Sequence, residues 1–99
     1  MAKSVTKSEI SGIEGLVSAL CQTRESDKMK QLLQEILTPA EFHDLAMRWE
    51  LMQRLNRGQT QRQIASELGI SLCKITRGAK ILKNDTSVTK QFIQSGRKK

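Results

Sequence analysis

Apolar residues recur every three or four positions along most of this chain, and nowhere do they alternate as they would in a half-buried strand. Ile10, Ile13, Leu16, Val17, Leu20 and Cys21 mark one amphipathic helix, in which Gly12 and Gly15 each cost about 1 kcal/mol of intrinsic stability relative to Ala. Met29, Leu32, Leu33, Ile36 and Leu37 mark a second, with Ser26 as its expected N-cap. Thr38, Pro39 and Glu41 then form a start signal. Thr38 can cap, Pro39 leaves no amide unsatisfied at the first helical position, and Glu41 can close a capping box. The third helix extends to about residue 57, where Gly58 stops it. Its apolar residues Phe42, Leu45, Ala46, Trp49, Leu51, Met52 and Leu55 cover more than one stripe, which predicts burial against two surfaces, as in an interlocked dimer, with Phe42 and Trp49 in the core.

Thr60 and Gln63 repeat the capping-box pattern at the start of a short helix that lasts through Leu68. After Gly69 and Ile70, Ser71 is placed to cap a fifth helix carrying Leu72, Ile75, Ala79 and Leu82. Asn84, Asp85, Thr86 and Ser87 break it, and Val88, Phe92 and Ile93 suggest a last short helix. The expected architecture is all-α, with six helices. Residues 1 to 8 are read as a flexible polar arm, 9 to 95 as a single helical domain, and 96 to 99 as a basic tail.

Residues 61 to 80, QRQIASELGISLCKITRGAK, have the pattern of a DNA-binding helix-turn-helix, and the motif extends over 61 to 83. Ala65 stands where two helices must approach closely and Gly69 where the turn needs positive φ, while Ile64, Leu68, Ile70 and Ile75 take the inward positions. Charge follows the motif. Of the net +7, residues 1 to 56 contribute 7 basic and 8 acidic side chains, and residues 57 to 99 contribute 10 basic and 2 acidic. A cationic half joined to a near-neutral one suits phosphate contact.

In such a motif the N-terminal residues of the second helix meet base edges in the major groove. Here these are Ser71, Leu72, Cys73, Lys74 and Thr76, with Ile75 turned inward. Lys74 can donate to guanine, while Leu72 and Cys73 can touch a thymine methyl. Gln61 and Arg62 open the preceding helix, where they can hold phosphate or reach a base, and Arg57, Lys80 and Lys83 are the expected phosphate neighbours. Any one of these cations alone would read as an ordinary solvated charge; six of them between residues 57 and 83, opposed only by Glu67, read as a surface.

The remaining chemistry is sparse. Cys21 and Cys73 match no metal spacing, and Cys73 reads as a small contact residue in preference to a redox sensor. His43 has no visible partner. No paired carboxylates, Cys/His or Ser/His/Asp arrangement or phosphate-binding loop is present, so no enzyme activity is expected. No apolar run approaches the roughly 18 residues needed to span a bilayer, and a cytoplasmic protein with no membrane partner is expected.

With LTPAE at residues 37 to 41, NRGQTQRQIASELG at 56 to 69 and KITRGAKILK at 74 to 83, the chain resembles the Trp repressor family over roughly residues 26 to 95. The resemblance implies an intertwined homodimer that binds a double-stranded DNA operator, takes L-tryptophan as corepressor and controls genes of tryptophan biosynthesis or uptake. It further implies that Arg48 and Arg77 flank the indole and hold the ligand carboxylate, and that Gly78 lies beside the ligand. By the same resemblance Leu37 and Thr38 reach in from the other subunit, and Met52 forms an aliphatic wall. Ile81 stands where the family has a serine near the ligand's amino group, Glu35 where it has an aliphatic pocket residue, and Lys74 where its best-known pattern has threonine. The connection from Gly58 to Gln61 is one residue shorter. Two other readings fit the residues: a helix-turn-helix regulator that needs no ligand, and an adaptor whose helix-turn-helix docks a protein.

Overall fold

The computed structural model describes residues 6–96. Residues 1–5 of the expected arm and 97–99 of the expected tail lie outside the described residues. Among those described there are six helices and no strand: α1 (Lys7–Gln22), α2 (Ser26–Ile36), α3 (Pro39–Asn56), α4 (Gln61–Leu68), α5 (Leu72–Lys83) and α6 (Val88–Gly96). The described residues fall into two compact units that divide after Pro39.

In the first unit α1 begins earlier than the arm allows. Thr6 and Glu9 form a full capping box, with the Glu9 amide donating to Thr6 Oγ1 at 3.1 Å and the Thr6 amide to Glu9 Oε1 at 2.9 Å. Thr6 is therefore a cap, and Lys7 and Ser8 are helical. At the other end Thr23 turns the chain out of the helix while its hydroxyl donates back to the Ala19 carbonyl at 2.8 Å. The expected cap of α2 is displaced by one residue. Glu25 is the N-cap, with extended backbone and no side-chain bond, because the first turn already closes between its carbonyl and the Met29 amide; Ser26 is inside the helix. Neither α1 nor α2 buries a single residue, and Ile10, Ile13, Val17 and Ile36 are exposed.

The second unit carries the core. Leu51 and Met52 of α3, Ile64 of α4, Ile75 of α5 and Ile93 of α6 are buried together, with Leu55, Leu68, Ile70, Ile81 and Leu82 packed against them. Burying each such side chain contributes about 1.5–3 kcal/mol, and each of the four helices supplies at least one to the common centre. Ile64 and Ile75 are 0% exposed, as the inward positions of a helix-turn-helix require. The core does not extend to the aromatic residues. Trp49 is 42% exposed and Phe42 half-buried, because only the last third of α3 faces this cluster; the two-sided burial expected of α3 is not met within one chain.

The turns follow from their sequences. Gly58 (φ 97°) ends α3 in a Schellman arrangement, the Gln59 amide donating to the Arg54 carbonyl at 3.1 Å and the Gly58 amide to that of Leu55 at 3.0 Å. Thr60 and Gln63 form the expected capping box of α4, and Gly69 (φ 65°) closes that helix in the left-handed conformation. Ser71 caps α5 by accepting the Lys74 amide at 3.4 Å. Between α5 and α6, Asn84 Oδ1 accepts from the Thr86 amide and hydroxyl, and Lys90 Nζ pairs with Asp85 at 2.8 Å.

Candidate ligand cleft and nucleic-acid interface

Four residues one helical turn apart on α5, Lys74, Arg77, Gly78 and Ile81, share a face because positions i, i+3, i+4 and i+7 stack above one another. Arg48, Leu51 and Met52 do the same on α3. Among the described residues, these two stripes line a cleft of about 270 Å³. Its floor is apolar, from Leu51, Met52 and Ile81, and its margin carries three cations. That composition suits a ligand with a flat apolar body and an anionic end, because guanidinium both stacks on aromatic faces and binds carboxylate in a forked geometry.

Gly78 sets how near the stripes come. A Cβ built at Gly78 would lie 2.5 Å from Leu51 Cδ1 and 3.1 Å from Met52 Cγ. The glycine in the middle of α5 thus has a reason within the chain: it admits the α3 side chains of the core, in addition to bordering the cleft.

None of the cleft's cations is neutralised. Among the described residues Arg48, Lys74 and Arg77 make no ion pair, and all three are exposed. Arg54, one turn beyond the cleft, behaves differently. It reaches Glu50 at 2.9 Å on its own helix and Glu67 at 2.6 Å on α4, so it ties α3 to the first helix of the motif. The same bridge occupies Glu67, the one acid among the six cations between residues 57 and 83. This pairing joins residues 13 apart in sequence, and no local pattern announces it.

Around the start of α5, Ser71, Leu72, Cys73, Lys74 and Thr76 are exposed while Ile75 is buried. Gln61 and Arg62, at the start of α4, are exposed, as are Arg57, Lys80 and Lys83. Cys21 and Cys73 are both free, exposed thiols. Lys74 belongs to both sets: it lies in the exposed first turn of α5 and it lines the cleft. Leu51 completes the cleft, although the sequence does not single it out as a ligand contact; Ile81 lines it too, at the position that the resemblance sets near the ligand's amino group. Leu37, the C-cap of α2, and the adjacent Thr38 belong to the first unit, as does Glu35, which accepts a hydrogen bond from Gln31 Nε2 at 2.9 Å. Among the described residues no cluster of three or more His, Cys, Asp or Glu side chains is placed to hold a metal ion.

A family model described as Trp repressor protein matches residues 11–96. The chain belongs to the Trp repressor family. Relatives in the family include a Trp operon repressor homolog of Xylella fastidiosa (strain M23), 42% identical over 82 residues, which cover 82% of this chain and 87% of that one. A Trp operon repressor homolog of Chlamydia trachomatis serovar L2 is 36% identical over 77 residues, 76% of this chain and 82% of its own. Another, of Photobacterium profundum, is 35% identical over 85 residues, 85% and 82% of the respective chains. No solved structure gives a significant match. Trp repressor family proteins are regulators, and this chain is a Trp-repressor-like regulator with the all-helical fold of that family. No helix among its described residues is long and apolar enough to cross a membrane.

Proposed function

We propose that this Trp repressor family protein is an operator-binding transcriptional repressor that works as a homodimer with L-tryptophan as corepressor, and that it controls genes of tryptophan biosynthesis or uptake. The observation that carries this reading is the cleft itself. Two arginines on an apolar floor make a seat for an indole bearing a carboxylate, and one wall of that seat is the helix whose first turn would enter the major groove. Arg48 and Arg77 hold the carboxylate and sandwich the ring, Met52 and Gly78 border it, and Leu37 and Thr38 of a second copy close it. Ser71, Leu72, Cys73, Lys74 and Thr76 read bases, with Gln61, Arg62, Lys80 and Lys83 on or near the phosphates.

Dimerisation is supported by the apolar surface that one chain leaves uncovered. Ile10, Ile13, Val17, Ile36, Leu45 and Trp49 are all exposed, and two helices bury nothing. An isolated helix of 11 or 16 residues is marginal in water. An intertwined second copy supplies the missing cover. Ligand in the cleft then favours the arrangement that sets two heads about 34 Å apart, the usual half-site spacing of dimeric helix-turn-helix proteins, the Trp repressor among them. It does so only through its difference in affinity for the two arrangements.

The test is calorimetric titration with L-tryptophan, followed by operator binding with and without it. Arg77→Ala is expected to weaken tryptophan binding roughly 10- to 100-fold, the value of a charge-assisted hydrogen bond, and to weaken ligand-dependent operator binding in parallel. An unchanged tryptophan titration for this variant removes Arg77 from the ligand site. A second reading, a regulator that needs no ligand, draws on Ile81, which brings an apolar side chain to the cleft where the family carries a serine. Operator affinity that is equal with and without tryptophan would favour it.

A further inference from the structure

We infer that, when the cleft is filled, Lys74 is a third anchor for the ligand carboxylate in place of a base contact, so that in this chain a residue in the first turn of α5 also selects the corepressor. The inference rests on the proposed corepressor site and adds a contact to it. Lys74 shares the α5 face of Arg77 and Gly78, one turn before them, and it lines the same cleft. Its backbone is fixed by the cap, since its amide donates to Ser71 Oγ, so the side chain springs from a defined point at the cleft's edge.

Charge strengthens the case. Two other basic residues of the second unit, Arg54 and Lys90, each sit against a carboxylate, whereas Arg48, Lys74 and Arg77 converge on one cleft with no acid among its lining residues. Like charges gathered around an apolar floor repel one another, and a ligand carboxylate placed among them relieves that repulsion. A lysine suits the outer position. Its ammonium is a compact charge on a flexible stem, able to close over a carboxylate whose planar sides are taken by the guanidinium groups. The recognised feature is therefore the ligand's carboxylate, and a ligand that lacks one gains nothing from Lys74.

Two variants and two ligands test this in the full-length protein. Lys74→Met keeps the stem and removes the charge; Lys74→Arg keeps the charge. Calorimetry with L-tryptophan is expected to show roughly 10-fold weaker binding for Lys74→Met than for the unaltered protein, the lower end for a charge-assisted contact at an exposed site, and near-normal binding for Lys74→Arg. L-Tryptophanamide, a cation in which the carboxylate is a neutral amide, is expected to bind Lys74→Met at least as tightly as the unaltered protein, since the variant removes a like charge from the cleft. Equal tryptophan affinity in the two proteins, or equal losses for tryptophan and its amide, overturns the role of Lys74 and leaves the corepressor site standing. An unaltered protein that binds neither compound overturns the corepressor site and this inference with it. Circular dichroism of Lys74→Met establishes that any loss is not one of folding, which the exposure of the side chain already favours.

Discussion

Replacing Gly78 by alanine sets two opposed effects of known size against each other. In an exposed helix interior the change from glycine to alanine gains about 1 kcal/mol. Here the new methyl would lie 2.5 Å from Leu51 Cδ1 and 3.1 Å from Met52 Cγ. Leu51 is 1% exposed and enclosed by the core, so it cannot swing into solvent; Met52 can bend away at lower cost. Forcing a methyl into a filled core costs about 1–3 kcal/mol. Packing therefore wins, and Gly78→Ala is expected to lose about 1 kcal/mol net, or roughly 4–8 °C in Tm for a domain of this size. The measurement is thermal or urea unfolding at one fixed protein concentration, since association makes apparent stability concentration-dependent. Leu51→Ala supplies the control. Alone it opens a cavity and costs about 2–5 kcal/mol, but in the double variant the methyl added at position 78 occupies part of that space, so the pair should be less damaging than the sum by about 1 kcal/mol or more. If Gly78→Ala instead gains the full 1 kcal/mol or so of helix propensity, the close approach of α3 to α5 is not what the glycine serves.

Arg54→Met breaks the bridge from Glu50 to Glu67 and should destabilise the fold by about 0.5–1 kcal/mol, the range for a partly exposed ion pair; unfolding curves that superimpose with those of the unaltered protein would show that α4 is held by its apolar contacts alone. Acid unfolding should depend on Asp85, whose carboxyl is held below its ordinary value of 3.8, first by the hydrogen bond from Lys90 and then by the charge of that ammonium. The folded value is the lower one, so the pair's contribution is present above 3.8 and fades as pH falls through the folded value; Asp85→Asn should make stability less pH-dependent in that acid range, and an unchanged profile would discount the pair.

Much of this fold could be read locally. Thr60 with Gln63, Gly69 and Ser71 each name one backbone event, and each event occurs at the residue that names it, because caps and positive-φ turns are decided within about one helical turn. The capping box of α1 was equally legible: Thr6 and Glu9 carry the same spacing as Thr60 and Gln63, and only the polar run around them hid it. Trp49 shows where local reading stops. An apolar residue at helical spacing reports that something covers it, and does not report whether the cover comes from its own chain. The cleft lies between these cases. Lys74, Arg77, Gly78 and Ile81 form one stripe by arithmetic alone, yet the exposed first turn of α5 drew Lys74 toward the bases, and only the placement of α3 against that stripe brings it to the cleft. The bridge of Arg54 to Glu67 depends wholly on how two helices meet, which no spacing encodes.

Because the cleft's wall and the turn proposed to read bases are parts of one twelve-residue helix, a change in α5 made for one proposed task bears on the other. Equilibrium linkage gives that arrangement a reciprocal consequence: whatever factor a cleft ligand adds to operator affinity, the operator must add to ligand affinity. A repressor of this build would hold its effector more tightly on the operator than free in solution, so occupied sites would keep their effector at ligand concentrations that already empty the free protein. The ligand threshold for derepression would then be written into the geometry of a single helix.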